Sequence, residues 1–432
     1  MERLLYYAWK HKLFPLTELR TTNGQLIEVI DTGIQNTNAG PDFFNAKIKI
    51  DGILWVGNVE IHHLSSDWFL HGHDKDRCYD SVILHVAEVV DAKVFRTSGE
   101  EIPQLQLTCP DYLLKNYCEL SKSDSYPPCY AIIPDLSALQ IHSWLTALQM
   151  ERFEQKMVQV NERLTHFHGN WEDAFFVTLA RNLGFGLNGD AFEMWANKIP
   201  LRSVDKHRDN LFQIEALFFG QAGLLEVEGG DEYYCQLRKE YHYLSYKFGL
   251  SPMDVKQWKF LRLRPSNFPH VRIAQLACLY HRSYGLFSQI MEATTLESLR
   301  SLLRGGASEY WSTHYTFGGN SPSHPKTWSD NTLNLIIINT VVTFLYTIGH
   351  YKGEDSYCAR AATFLEKLKP ESNQIIRMWS DCGIKAAHAG DSQALIQLKK
   401  AYCDQKKCLY CRFGYEYLKR KSSNISKENR KE

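Results

Sequence analysis

Two short strings carry side chains that could do chemistry together: Gly40-Pro41-Asp42 and Val59-Glu60-Ile61-His62, with 17 residues between the two acids. The arms of a hairpin lie about 5 Å apart, so acids remote in sequence can converge near one end of it. Two carboxylates held close in a partly dry site repel each other. Either one takes up a proton or a divalent cation neutralises both. A hard oxygen-ligand site of this kind suits Mg²⁺ or Mn²⁺, which lowers the pKa of bound water and neutralises a phosphoryl group. Asp51-Gly52, between two alternating apolar runs, signals the hairpin, because a type I′ turn needs positive φ at both centres. A strict two-residue turn sets Asp42 opposite Ile61, on the wrong face for Glu60. Convergence therefore requires a bulge or a break in the strand near Asp42. Glu60 and His62 share a face, and an imidazole can orient or deprotonate water.

Histidines crowd the same region. His62, His63, His71, His73 and His85 fall within 24 residues of a chain that has 17 in all. His71 and His73, with Asp67 nearby, could ligate a transition metal, whereas His85 sits inside an apolar strand and reads as a hydrogen-bonded core residue. A second constellation is Cys382, Cys403, Cys408 and Cys411, four of the eleven cysteines within thirty residues. The last three are spaced like a knuckle in which neighbouring thiolates grip one ion, and four sulfurs suit Zn²⁺ or a [4Fe–4S] cluster. His388 is an alternative to Cys382 as the fourth ligand. Arg262, Arg264 and Arg272 flank Pro265-Ser-Asn-Phe-Pro269 and could carry the phosphates of DNA or RNA. From Lys399 to Glu432 eleven Lys/Arg face four Asp/Glu, a basic end on a neutral protein.

The elements that must position these groups follow from pattern. At 432 residues the chain is too long for one ordinary core, and Lys+Arg and Asp+Glu balance at 49 each. That balance removes the usual footprint of a protein coating DNA or an anionic membrane. The first twelve residues form an amphipathic helix with Leu4, Leu5, Ala8 and Trp9 on one side. Strand patterns run over 25–30, 46–50, 53–60, 82–90, 93–96 and 104–107. The proline-rich stretch 109–134 reads as a linker, and beyond residue 135 the apolar period becomes helical. The expectation is an α+β protein: an N-terminal mixed-sheet domain over 1–134, a larger helical region over 135–420 closed by a C-terminal cysteine metal site, and a disordered tail over 421–432. The apolar run 333–348 is short for a bilayer and reads as a buried helix, so no membrane is expected. An odd cysteine count and a start without an apolar leader point to reduced thiols in a cytoplasmic protein. No phosphate-binding P-loop, G-x-S-x-G or H-E-x-x-H string occurs.

The pairing of Pro41-Asp42 with Glu60-Ile61-His62, in a helix-then-sheet order over roughly residues 1–107, resembles the PD-(D/E)XK nuclease superfamily. The resemblance implies that Asp42, Glu60 and the Ile61 carbonyl hold the metal and that position 62 assists the attacking water. It also implies an upstream acid, for which Glu2, Glu18 and Glu28 are candidates. His62 stands where that superfamily has lysine. Several such nucleases carry a cysteine-bound cluster. The strings Asn38-Ala-Gly-Pro-Asp-Phe43, Gly57-Asn-Val-Glu-Ile-His62, Ser65-Ser-Asp-Trp68, His71-Gly-His73, Val82-Ile-Leu-His-Val86 and Phe260–Pro269 resemble a wider group, the bacterial domain of unknown function 2851 family of Bacteroidetes-type genomes. The first resemblance implies a metal-dependent nuclease acting on nucleic acid; the second names no activity. The alternatives are a catalytically inactive binding or scaffold protein that kept the fold, and a hydrolase of another class using the histidines on a transition metal.

Overall fold

The computed structural model describes residues 2–15, 18–123 and 126–420; the expected tail 421–432 lies outside them. The chain is a mixed α+β protein that divides into two compact units. One comprises Met1–Ser137 together with Lys399–Glu432, and the other Ala138–Leu398.

The first unit opens with α1 (Glu2–Lys10), whose Leu4, Leu5, Ala8 and Trp9 are buried. The Trp9 indole N–H donates to Thr32 O at 3.2 Å. Six strands follow: β1 (Ile27–Asp31), β2 (Ile34–Gln35), β3 (Phe43–Ile50), β4 (Ile53–Leu64), β5 (Val82–Val89) and β6 (Gln104–Gln106). Their order is β1-β3-β4-β5-β6, with β2 pairing on β3. The β1–β3–β4 half is antiparallel and the β4–β5–β6 half parallel. β5 is buried for six successive residues, as a parallel strand covered on both faces should be. Between β4 and β5 lies the short helix α2 (Asp67–Leu70), anchored by the fully buried Trp68.

The turn chemistry fixes the register. Asp51 and Gly52 take φ of 49° and 83°, the two positive values a type I′ turn needs. Ile50 then faces Ile53 and Ala46 faces Gly57, but further on Phe43 faces Val59, so β3 carries one extra residue. Asn45 absorbs it at φ 56°, and its backbone N–H donates to Asn58 Oδ1 at 3.2 Å. The required bulge is therefore present, and it moves Asp42 from beside Ile61 to beside Glu60.

Two local expectations change. Residues 93–96 form no strand, only a bridge between Phe95 and Glu101. The Arg96 side chain turns inward to Asp80 O and Val82 O at 2.9 and 2.7 Å, which holds this segment as a loop. The stretch 109–134 is not a bare linker. Pro110 caps a twelve-residue helix, α3 (Asp111–Lys122), whose Leu113 and Leu120 are buried. The terminal helix Arg412–Leu418 packs on α3, and the Asn116 amide donates to Tyr417 O, Leu418 O and Arg420 O at 3.3, 3.1 and 2.9 Å. That packing places the segment after Leu398 with the sheet unit rather than with the helical region.

The second unit is helical, built on α4 (Ala138–His166) and α5 (Trp171–Leu183) and the helices that follow, around a core rich in Phe and Trp. The stretch Asp330–Lys352 is long and apolar enough to cross a membrane, but 78% of its apolar window is buried inside the protein.

If the bulge sets the register, its left-handed residue is the sensitive point. Asn45→Val should destabilise by about 1–2 kcal/mol, because a branched side chain is strained at positive φ, while Asn45→Gly should be near neutral. Chemical denaturation of the two variants checks this.

Candidate functional site

The geometry follows from that register. The Asp42 backbone N–H donates to Glu60 Oε2 at 3.0 Å, and the Ile61 N–H donates to Asp42 Oδ2 at 2.9 Å. Each acid is thus held by the other's strand. The Tyr6 hydroxyl, from α1, donates to Asp42. Glu60 is 5% exposed, so the pair is largely withdrawn from water. Burial pushes Asp42 up to about 7, with the Glu60 charge adding to it. Burial likewise pushes Glu60 up to about 8, and the charge of Glu2 adds to that. Of the three upstream acids, Glu2, at the first turn of α1, is the one whose charge acts on both carboxyls, while Glu28 pairs with Lys49 at 3.2 Å.

Histidines close the other side. Glu60 Oε1 lies 3.3 Å from His73 Nε2 and 3.6 Å from His62 Nε2. His71 Nδ1 is 3.2 Å from His62 Nε2, and His62 Nδ1 is 2.8 Å from the buried His85. The ring nitrogens of His62, His71 and His73 lie within 4.8 Å of one another, with His71 exposed and the other two buried. Burial pushes His62 and His85 down to about 3 and lowers His73 as well, which favours their neutral forms. Tyr79 stacks on His73 with centroids 3.7 Å apart and fixes its plane. Asp67 is turned away: its Oδ2 accepts from the Leu64 N–H at 3.1 Å.

Asp42, Glu60, His62, His71 and His73 are brought together in the first unit. Tyr6 and Tyr79 join them without having been singled out in the sequence, although Tyr6 sits one residue from the buried face of a helix already marked as amphipathic. The Asp42 and Glu60 carboxylates are hard donors of the kind that suits Mg²⁺ or Mn²⁺, and the ring nitrogens of His62, His71 and His73 form a group of their own beside them that could hold a transition ion.

The remaining candidates are placed elsewhere. Arg262 and Arg264 are exposed in the helical unit. Arg272 belongs to a buried helix, at 5% exposure, with Nη1 on Gln275 Oε1, Nη2 on Asn267 Oδ1 and its guanidinium over Phe185. It is a core cation and is withdrawn from phosphate. Cys382 follows a helix of the second unit, whereas Cys403, Cys408 and Cys411 belong to the first, so the four do not share a unit. His388, in the second unit, caps its own helix by accepting from the Asp391 N–H.

The family model described as a protein of unknown function (DUF2851) matches residues 2–374. The chain belongs to that family, whose matched span includes every residue of the carboxylate–histidine site. No curated protein and no solved structure matches the chain.

Both carboxyls are raised above their ordinary values, so in metal-free protein the folded state binds protons more tightly than the unfolded one. The favourable contribution is complete below about pH 4 and is lost as pH rises to about 8. In the presence of EDTA, Glu60→Gln should therefore melt higher than wild type at about pH 8.5, with the gap closing towards about pH 4.5. Thermal melts at the two pH values check it; a gap independent of pH would refute the assignment.

Proposed function

We propose that the first unit is a PD-(D/E)XK-like, metal-dependent hydrolase of phosphodiester bonds in nucleic acid. The observation that carries this is the alignment of Asp42 with Glu60 across the bulged β3–β4 pair, inside a helix-then-mixed-sheet order, with Glu2 in range on α1. A divalent ion held there, Mn²⁺ better than Mg²⁺, supplies charge neutralisation and a more acidic bound water. Asp42 and Glu60 bind and orient, and the resemblance adds the carbonyl of Ile61, next to Glu60 on β4, as a further ligand. His73 and His62 fix the Glu60 carboxylate from the opposite side. His71, the exposed member, is placed to take a proton from a water near the site, a task that the superfamily gives to lysine at position 62. Arg262 and Arg264 are the exposed candidates for backbone phosphates, and the C-terminal cysteines take a structural metal group in the same reading.

One observation favours the alternative of a non-catalytic binding or scaffold protein. His62 is 1% exposed and both its ring nitrogens are engaged, so it cannot reach solvent as a lysine would. The two are separated by one assay. Purified protein with Mn²⁺ should cut single- or double-stranded DNA or RNA, and Asp42→Asn or Glu60→Gln should lower the rate by more than about a hundredfold, beyond the usual loss for a group behind the ligands. His71→Ala should cost less and should move the pH profile. Cleavage that survives both acid substitutions, or binding indifferent to chelator with no cleavage, overturns the proposal.

A further inference from the structure

Three imidazoles meet beside the acid pair, and the hydrolase reaction uses them singly rather than as a set. His62 Nε2 lies 3.2 Å from His71 Nδ1. One ring nitrogen from each of His62, His71 and His73 falls within 4.8 Å of the other two. Around a tetrahedral Zn²⁺, with each nitrogen about 2.0–2.1 Å from the ion, neighbouring nitrogens lie about 3.3 Å apart. The first pair already stands at that spacing. The third nitrogen, at most 4.8 Å from the others, needs to move by no more than about 1.5 Å to complete it.

The chain builds this meeting point from two places. His62 comes from β4, while His71 ends α2 and His73 begins a short 3₁₀ turn. Between them Gly72 takes φ 74°, and this left-handed step turns the chain so that two histidines of one loop reach the same spot. The two buried rings are held from behind. His62 Nδ1 is 2.8 Å from His85 Nε2. His73 is stacked by Tyr79 at 3.7 Å and met edge-to-face by Trp68 at 5.3 Å. Rings fixed in this way are what a metal seat requires of its surroundings. His71 alone is exposed, which gives an ion its way in.

Donor chemistry separates this seat from the acid pair. Three imidazoles are a complete protein ligand set for a zinc ion that keeps its fourth position for water. The oxygens of Asp42 and Glu60 suit a harder ion. Glu60 borders both places: its Oε2 accepts from the Asp42 N–H at 3.0 Å, and its Oε1 lies 3.3 Å from His73 Nε2.

We propose that His62, His71 and His73 form a zinc site of their own, and that zinc there arrests hydrolysis by occupying the lone pair of His71. The site stands independently of the hydrolase assignment. The arrest rests on it, because His71 is the group to which that reaction gives the proton of the attacking water.

The test uses the full chain, stripped with chelator and dialysed against a small excess of Zn²⁺, with bound zinc counted by inductively coupled plasma mass spectrometry. Free thiols also take zinc, so variants with the same cysteines are compared. Wild type should hold about one zinc per chain more than His71→Ala or His73→Ala. His63→Ala should match wild type, since that ring pairs with Glu88 at 2.8 Å instead. His73 is buried and its variant could misfold, whereas His71 is exposed; circular dichroism checks both, and folded His71→Ala suffices for the comparison. In Mn²⁺-loaded protein, added zinc should slow wild-type cleavage by about tenfold or more and leave the residual cleavage of His71→Ala unmoved. Equal zinc in wild type and His71→Ala overturns the site. No slowing of wild type, or equal slowing of both, overturns the arrest. Absence of Mn²⁺-dependent cleavage in zinc-free wild type overturns the hydrolase assignment and the arrest together, while the zinc difference still decides the site.

Discussion

The register of β3 on β4 is the constraint on which the site depends. One extra residue at Asn45 sets Asp42 beside Glu60, and without it the two side chains would leave opposite faces of the sheet. The arrangement is expensive. Two buried carboxylates repel, and the hydrogen bonds from the Asp42 and Ile61 amides offset only part of the lost hydration. Among the described residues, the ion pairs of Glu60 are with His62 and His73, which burial keeps neutral. Among the described residues no lysine or arginine forms an ion pair with either acid. Folding has thus preserved a concentration of unbalanced donor atoms at the end of an otherwise well-packed hairpin, and strain of that kind belongs at functional sites.

What could be read in the sequence divides along the range of the interactions. The Asp51-Gly52 turn, the alternation of its arms and the need for a bulge are local, and all three follow from residue types within a few positions. The identity of the bulge residue does not, because asparagine tolerates positive φ without demanding it. The neighbourhood of His73 was visible as a concentration of histidines, but its contact with Glu60 depends on how α2 and the following loop fold back over β4. The role of Arg272 was misjudged from charge alone. Its helix, Pro269–Arg282, is buried on nearly every side, and the run Val271, Ile273, Ala274, Leu276 already pointed that way.

The cysteines make the same point at longer range. Spacing groups Cys403, Cys408 and Cys411, and all three fall in the first unit. Their unit depends on whether the final segment docks on the helical region or on the sheet. The deciding contacts, Asn116 against the terminal helix and Lys406 against Ser121 and Ser123, join residues nearly three hundred positions apart. Pairwise reach of that length leaves no periodic trace. The nearest cysteine in sequence, Cys382, falls in the second unit.

Helix α1 joins the acid pair to the C-terminal segment. Tyr6 and Tyr7 are adjacent, so their side chains leave the helix about 100° apart and face different surroundings. Tyr6 donates to Asp42, while the ring of His11, one turn beyond Tyr7, lies 4.9 Å from that of Tyr415 and tilted to it. The helix is consequently held from both sides, by the acid pair through Tyr6 and by the terminal helix through His11. A rigid α1 keeps Glu2 and Tyr6 at fixed distances from Asp42 and Glu60, and preorganisation of that kind is what a site of like charges needs. It follows that the C-terminal segment, although remote in sequence, contributes to the geometry of the carboxylates by restraining α1.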